Sequence, residues 1–323
     1  MAHDPTIITF EGVESWNKWR EENPDIIPDL HGESFVGQDM ENINFENVNL
    51  EGADLTEACL IGANLKHANL TDAQLIKTNF QGADLADAQL VGAAAEGAIL
   101  SNANFKRANL MHADLEQALM ISTVFVDSEL SAVNFHNSYP VYADISGAKL
   151  INANFRGAVV NNIKYDPKRL ECSNIVLDGC HGSQGFISAA RSNAYVAEVK
   201  ERLDPRMFWL WWITSDCGRS PLRFAGSVLF FAAFFGIAYA NYEVWGWLPD
   251  SIKWLLDFIN PEFGTRIDKT WFSPYYFSIV SLTTLGFGDI TPQNAAGELW
   301  LTLEVLIGYV MLGILVTFFT QKR

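Results

Sequence analysis

The chain has 323 residues and a formal net charge of −16, enough length for two domains. Residues 1–180 carry 26 Asp and Glu against 11 Lys and Arg, whereas residues 181–323 carry 12 against 11. An acidic part therefore precedes a nearly neutral, apolar part, and no nucleic-acid partner is expected. Cys59, Cys172, Cys180 and Cys217 have neither metal-ligand spacing nor a secreted disulfide pattern. The N-terminal residues lack a basic stretch followed by an apolar one, so no signal peptide is expected and the acidic part is assigned to the cytoplasm.

Residues 1–29 contain "GVESWNKWREENPD", read as a short capping helix stopped by Pro24. From Leu30 a large apolar residue recurs at every fifth position, as in Phe45, Leu50, Leu55, Leu60, Leu65, Leu70 and Leu75. Two residues before each stands a small one, usually Ala. On an α-helix each step of five rotates by about 140° and scatters these side chains. On a flat strand an odd period alternates faces. A common interior results only if the chain turns every five residues. Four such sides close a coil of about 20 residues, and coils stack at about 4.8 Å.

This pattern resembles the pentapeptide-repeat family, A(D/N)LXX, over about 145 residues. The resemblance implies a right-handed quadrilateral β-helix over 30–180. The register is expected to run unbroken from Leu30 to about Ile175, with a local kink or bulge near Ser138–Pro140. A second helix, in "GFISAARSNAYVAEVKERLDP", is expected to cap the far end. His67, His112 and His136 have no partners at ligand spacing and are read as surface residues; nothing on the rod suggests catalysis.

Residues 181–220 hold that helix and "RMFWLWWITSDCGRSP", whose apolar core is too short to span a bilayer. Its Trp residues suit an interfacial helix coupling rod to membrane. Residues 221–323 carry two long apolar runs, 222–242 and 297–319, each long enough to cross hydrocarbon as a helix. Arg219 precedes the first and Arg223 stands at its start, and Lys322 and Arg323 follow the second. Both termini are therefore expected in the cytoplasm. The segment 243–270 would form an outer turret.

Between the runs lies "WFSPYYFSIVSLTTLGFGDITP". Pro274 can begin a short helix over 273–283. Non-helical backbone at membrane depth must line a cavity or be buried in protein. Gly286 and Gly288 permit backbone angles that bring successive carbonyls to one side, where they can replace the hydration shell of a cation. Residues 284–289 resemble the potassium channel signature T-(V/I/L)-G-(Y/F)-G-D. The resemblance implies an all-α two-span pore domain with a re-entrant pore helix. It implies K+ sites at Thr284, Leu285, Gly286 and Phe287, completed by Gly288 and supported by Thr283 and Asp289. It implies hinge glycines at Gly308 and Gly313, and an inner cavity lined by Tyr309, Leu312 and Val316. Phe287 replaces the commoner Tyr and loses its hydroxyl; Tyr276 is expected to supply one to Asp289. Glu304 is an acid inside an apolar run and so a functional candidate, with a structural role favoured.

One chain holds one filter loop, so four copies are required. The expected protein is a homotetrameric potassium channel in a prokaryotic cell membrane, without an arginine-rich voltage sensor. It needs no cofactor beyond K+ as the permeant ion, and its partners are the lipid membrane and an unknown cytoplasmic protein docking on the rod. The alternatives are a nonselective cation channel or a membrane-anchored repeat scaffold. An enzyme is not expected, because no nucleophile, base and orienting group come together.

Overall fold

The computed structural model describes residues 12–217, 220–240, 263–265, 278–279, 281, 290–292 and 295–320. Contacts divide the chain into two units, Met1–Glu201 and Arg202–Arg323.

The first unit is a square β-helix. Parallel bridges join residues at five-residue steps to those 20 positions later, from Asp29↔Asn49 to Asp144↔Lys164. At the corners the second turn residue has positive φ, as at Asn47, Gly52 and Gly62, and at most of them the next amide closes the turn, as Ala53 N to Leu50 O at 3.0 Å. Asn and Gly tolerate this conformation best, which explains their frequency there.

The fifth-position residues Leu50, Leu55, Leu60 and Leu65 and the small residues Ala53, Ala58 and Ala63 are fully buried. Phe105 stacks on Phe125 at 5.2 Å and Phe135 on Phe155 at 4.5 Å. Where a hydroxyl replaces Ala, it bonds to backbone: Thr78 Oγ1 donates to Leu55 O at 2.6 Å and Thr123 Oγ1 to Leu100 O at 2.8 Å. These two buried hydroxyls are thus satisfied.

Pro140 does not kink the rod. Its side chain is buried in the regular turn pattern and the coil keeps its phase. The cost is local: with no N–H to donate, the Tyr139–Val159 bridge is missing, while Val159 N still donates to Ser138 O at 2.9 Å. The register breaks later. Bridges change from 20-residue to 22-residue spacing between Asp144↔Lys164 and Lys149↔Glu171. The extra residues form a turn at Asp166–Arg169, closed by Arg169 N to Asp166 O at 3.1 Å. After it, Cys172 and Leu177 take the buried positions and Ile175 is only half-buried, which corrects the unbroken register expected to Ile175.

Both ends are covered. Helix α1 (Gly12–Glu22) buries Trp16, whose Nε1 donates to Asn44 O at 2.8 Å and whose ring meets Phe45 edge-on. Arg20 donates to Ile26 O and Glu46 O at 2.7 and 2.6 Å, and Asn17 Oδ1 accepts from Asn44 N at 2.8 Å. These side chains satisfy backbone groups that an open coil would leave bare. At the other end β1 (Val159–Val160) pairs with β2 (His181–Gly182) in parallel, leading into α2 (Gln184–Arg202). Phe186 of α2 packs edge-on against Phe155 and Tyr165, and Asn193 Nδ2 donates to Leu170 O at 2.8 Å.

The second unit holds α3 (Pro205–Ser215), α4 (Pro221–Ala240), β3 (Phe263–Thr265), β4 (Ile290–Pro292) and α5 (Ala295–Thr320). Asp204 caps α3 by accepting from Arg206 N at 2.8 Å, with Pro205 opening the helix. Trp211 is buried, while Trp209, Trp212 and Ile213 are exposed. Ser220 Oγ accepts from Arg223 N at the start of α4.

Candidate functional site

The apolar helices meet through aromatic side chains. Trp300 of α5 lies 5.7 Å from Phe235 and 6.1 Å from Phe234 of α4. Further along, Met311 and Ala232 are buried with Phe224, Val228, Phe231 and Ile307 around them. Among the described residues no helix is long and apolar enough to cross a membrane.

Helix α5 has two faces. Glu304, Gly308 and Met311 are buried and follow one another at helical spacing. Leu299, Leu303, Leu306, Tyr309, Leu312 and Val316 are exposed, although all are apolar or aromatic. Gly313 is exposed as well, and a Cβ there would meet nothing within 4 Å.

Residues 278, 279 and 281 are helical, and Ser278 and Ser281 are buried. Ser278 Oγ donates to Glu304 Oε1, and Glu304 is completely buried. The acid in α5 is therefore tied to the helical stretch that precedes residue 282. On the other side, β4 pairs antiparallel with β3, with Thr265 opposite Ile290 and Phe263 opposite Pro292. The described backbone brackets 282–289 with helix before and a strand pair after.

Thr283, Thr284, Leu285, Gly286, Phe287, Gly288, Asp289 and Tyr276 lie outside the described residues. Of the other expected site residues, Glu304 and Gly308 come together on the buried face of α5. Tyr309, Leu312, Gly313 and Val316 are all exposed on one chain. Ser278 was not anticipated; the available signal was a small hydroxyl residue in an apolar stretch that also needed a partner for a buried acid. The β3–β4 pair was also missed, because three-residue strands carry no periodicity to read.

On the rod the stack sets electrostatics through 20-residue spacing. Arg107 bridges Asp87, Lys164 bridges Asp144 at 2.6 Å, Lys149 bridges Glu129 at 3.2 Å and His136 meets Glu116 at 3.1 Å. The hydrogen bond from Arg107 holds the Asp87 carboxyl below its usual range, and that from His136 does the same for Glu116. Burial pushes the Cys180 thiol up to about 11, so it is not a reactive thiolate.

Residues 34–66, 68–107, 88–127 and 108–139 match the pentapeptide-repeat family model in eight copies, and residues 227–322 match the ion channel model. The repeat matches fall on the coiled first unit and the ion channel match on the second. A hyperpolarization-activated voltage-gated potassium channel of Methanocaldococcus jannaschii is 33% identical over 60 residues. That match covers 18% of this chain and 26% of the relative, so the fusion spans about a quarter of that protein's length. Among solved structures, a variant of the plasmid-mediated fluoroquinolone resistance protein QnrB1 is 21% identical, with 50% of this chain and 90% of that one covered and a TM-score of 0.43. HetL of Nostoc sp. PCC 7120, a pentapeptide-repeat protein, is 17% identical, with 51% and 92% covered and a TM-score of 0.24. At those scores they add nothing to the coil geometry described above.

Proposed function

We propose that the fusion is one subunit of a homotetrameric potassium channel in a cell membrane, conducting K+ passively through backbone carbonyls. The observation that carries this reading is the sequence Thr284–Asp289, TLGFGD, lying inside the segment that matches the ion channel model and between α4 and α5. Helices α4 and α5, of 20 and 26 residues, extend about 30 and 39 Å at 1.5 Å per residue.

In this reading the oxygens of Thr284, Leu285, Gly286 and Phe287 replace the water shell of a dehydrated K+. Several adjacent sites let one ion displace the next. Gly286 and Gly288 accept the backbone angles that aim these oxygens inward. The helix ending before residue 284 adds partial negative charge from its C-terminus. The Ser278–Glu304 hydrogen bond supports that helix from behind. Asp289, Thr283 and Tyr276 brace the loop, and the β3–β4 pair anchors its exit. The exposed Tyr309, Leu312 and Val316 fit a cavity shared by four copies, with Gly308 and Gly313 as hinges. The rod is cytoplasmic and serves regulation or docking.

A nonselective cation pore is the second reading, favoured by Phe287, whose ring has no hydroxyl to brace the loop. The test is flux from liposomes holding the purified chain. Barium-sensitive K+ flux is expected, with at least about tenfold loss in Gly286→Ala, where a Cβ obstructs the carbonyl geometry. Flux that is unchanged in Gly286→Ala would contradict the carbonyl filter.

A further inference from the structure

The rod carries charge on most of its surface, yet one face is bare of it from Cys59 onward, with Asp39 one coil earlier as its charged end. Cys59, Asn79, Ile99, Leu119, Tyr139 and Val159 occupy one outward position in six successive coils, 20 residues apart. Bridges link them from Cys59 to Tyr139. The corner that follows this face is also uncharged at positions 61, 62, 81, 82, 101, 102, 121, 122, 141, 142, 161 and 162. Ile121, Tyr139 and Tyr142 are 40%, 46% and 59% exposed. Each of the other three faces holds carboxylates, for example Asp84 and Asp144 on one, Glu129 on the next, and Asp54 and Asp114 on the last.

We propose that rods of two subunits pair side by side through this uncharged face. The pairing is in register about a two-fold axis along the rod, so that Tyr139 meets Tyr139 of the partner subunit. The inference rests on the tetrameric reading, which holds the copies together and points their rods the same way. Charge argues for a second copy as the occupant. About such an axis the central column of each face meets its own copy, so on an acidic rod a face whose central column is uncharged avoids like-charge repulsion there. The stacking apolar and aromatic column supplies the attraction.

Size argues the same way. Five coil steps span about 24 Å, and such a strip buries on the order of a few hundred Å2 per rod. That falls short of the ~800 Å2 per partner of a stable free complex. It suffices for partners tethered in one assembly, where the effective concentration is about millimolar. Rod pairing makes the cytoplasmic layer a dimer of dimers beneath a four-fold pore.

The test uses the full chain in detergent micelles, with its mass measured by light scattering and a short bismaleimide as thiol cross-linker. In a Cys59→Ser background, Tyr139→Cys is expected to give covalent dimers at least about tenfold more than Lys149→Cys, which lies on the opposite face of the coil. With native Cys59 as the probe, Tyr139→Asp is expected to cut dimer yield by about tenfold through like-charge contact, while circular dichroism stays unchanged. A tetramer mass with equal linking at both faces, or with linking untouched by Tyr139→Asp, overturns the pairing and leaves the tetramer standing. A monomer mass overturns both.

Discussion

At Gly157 φ is +69°, and a Cβ built there would lie 2.2 Å from Asn137 Oδ1, the side chain one coil earlier. The left-handed backbone and the overlap act together. Gly157→Ala is expected to destabilise the rod by about 1 kcal/mol or more, read as a lower unfolding midpoint in denaturant. Gly313 is the opposite case, since among the described residues a Cβ there meets nothing within 4 Å. Glu304 is buried and accepts from Ser278. Glu304→Gln keeps a side-chain oxygen acceptor for that hydroxyl, whereas Glu304→Leu leaves the hydroxyl buried without it. Glu304→Leu is expected to cost about 1–3 kcal/mol, seen as a lower melting temperature of the detergent-solubilised chain, with Glu304→Gln losing less. Equal losses would mean that the pair does not support the helical stretch at Ser278–Ser281.

Among the elements, the coils were the most legible. A period of five excludes helix and flat strand at once, so burial of Leu50, Leu55 and Leu60 followed from spacing alone. The register slip was not legible, because Leu170 and Ile175 keep the old phase in the sequence. The turn at Asp166–Arg169 inserts two residues, and Cys172 and Leu177 then fill the interior. Pro140 misled in the other direction: the ladder absorbs one missing donor because every neighbouring amide remains paired. In the second unit the long apolar runs predicted α4 and α5, but the Ser278–Glu304 contact is tertiary and leaves no period to detect. The end caps were visible as helices, though their hydrogen bonds were not. Helix α1 closes the first coil through Trp16, Asn17 and Arg20. In a solenoid each coil leans only on its neighbours. Trp16→Ala is therefore expected to fray the first coil selectively. Amide exchange at Asn49 and Leu50 should accelerate, while that at Leu110 and Leu115 stays slow. Uniform acceleration along the rod would contradict a capping role.

At the scale of the whole molecule, an acidic repeat rod and an ion channel segment share one chain, and the charge of −16 sits almost entirely on the rod side. The ladders of Arg107 with Asp87 and Lys164 with Asp144 neutralise part of it. The uncharged face leaves one direction in which two rods can approach. All of this matters to function only if the apolar part conducts. The proposed function requires a filter of carbonyls at Thr284 through Phe287 that prefers K+ over Na+. The most direct measurement is the reversal potential of the purified chain in a planar bilayer with K+ on one side and Na+ on the other. A permeability ratio of at least about tenfold in favour of K+ is predicted. A reversal potential near zero would contradict a selective filter and leave a nonselective cation pore.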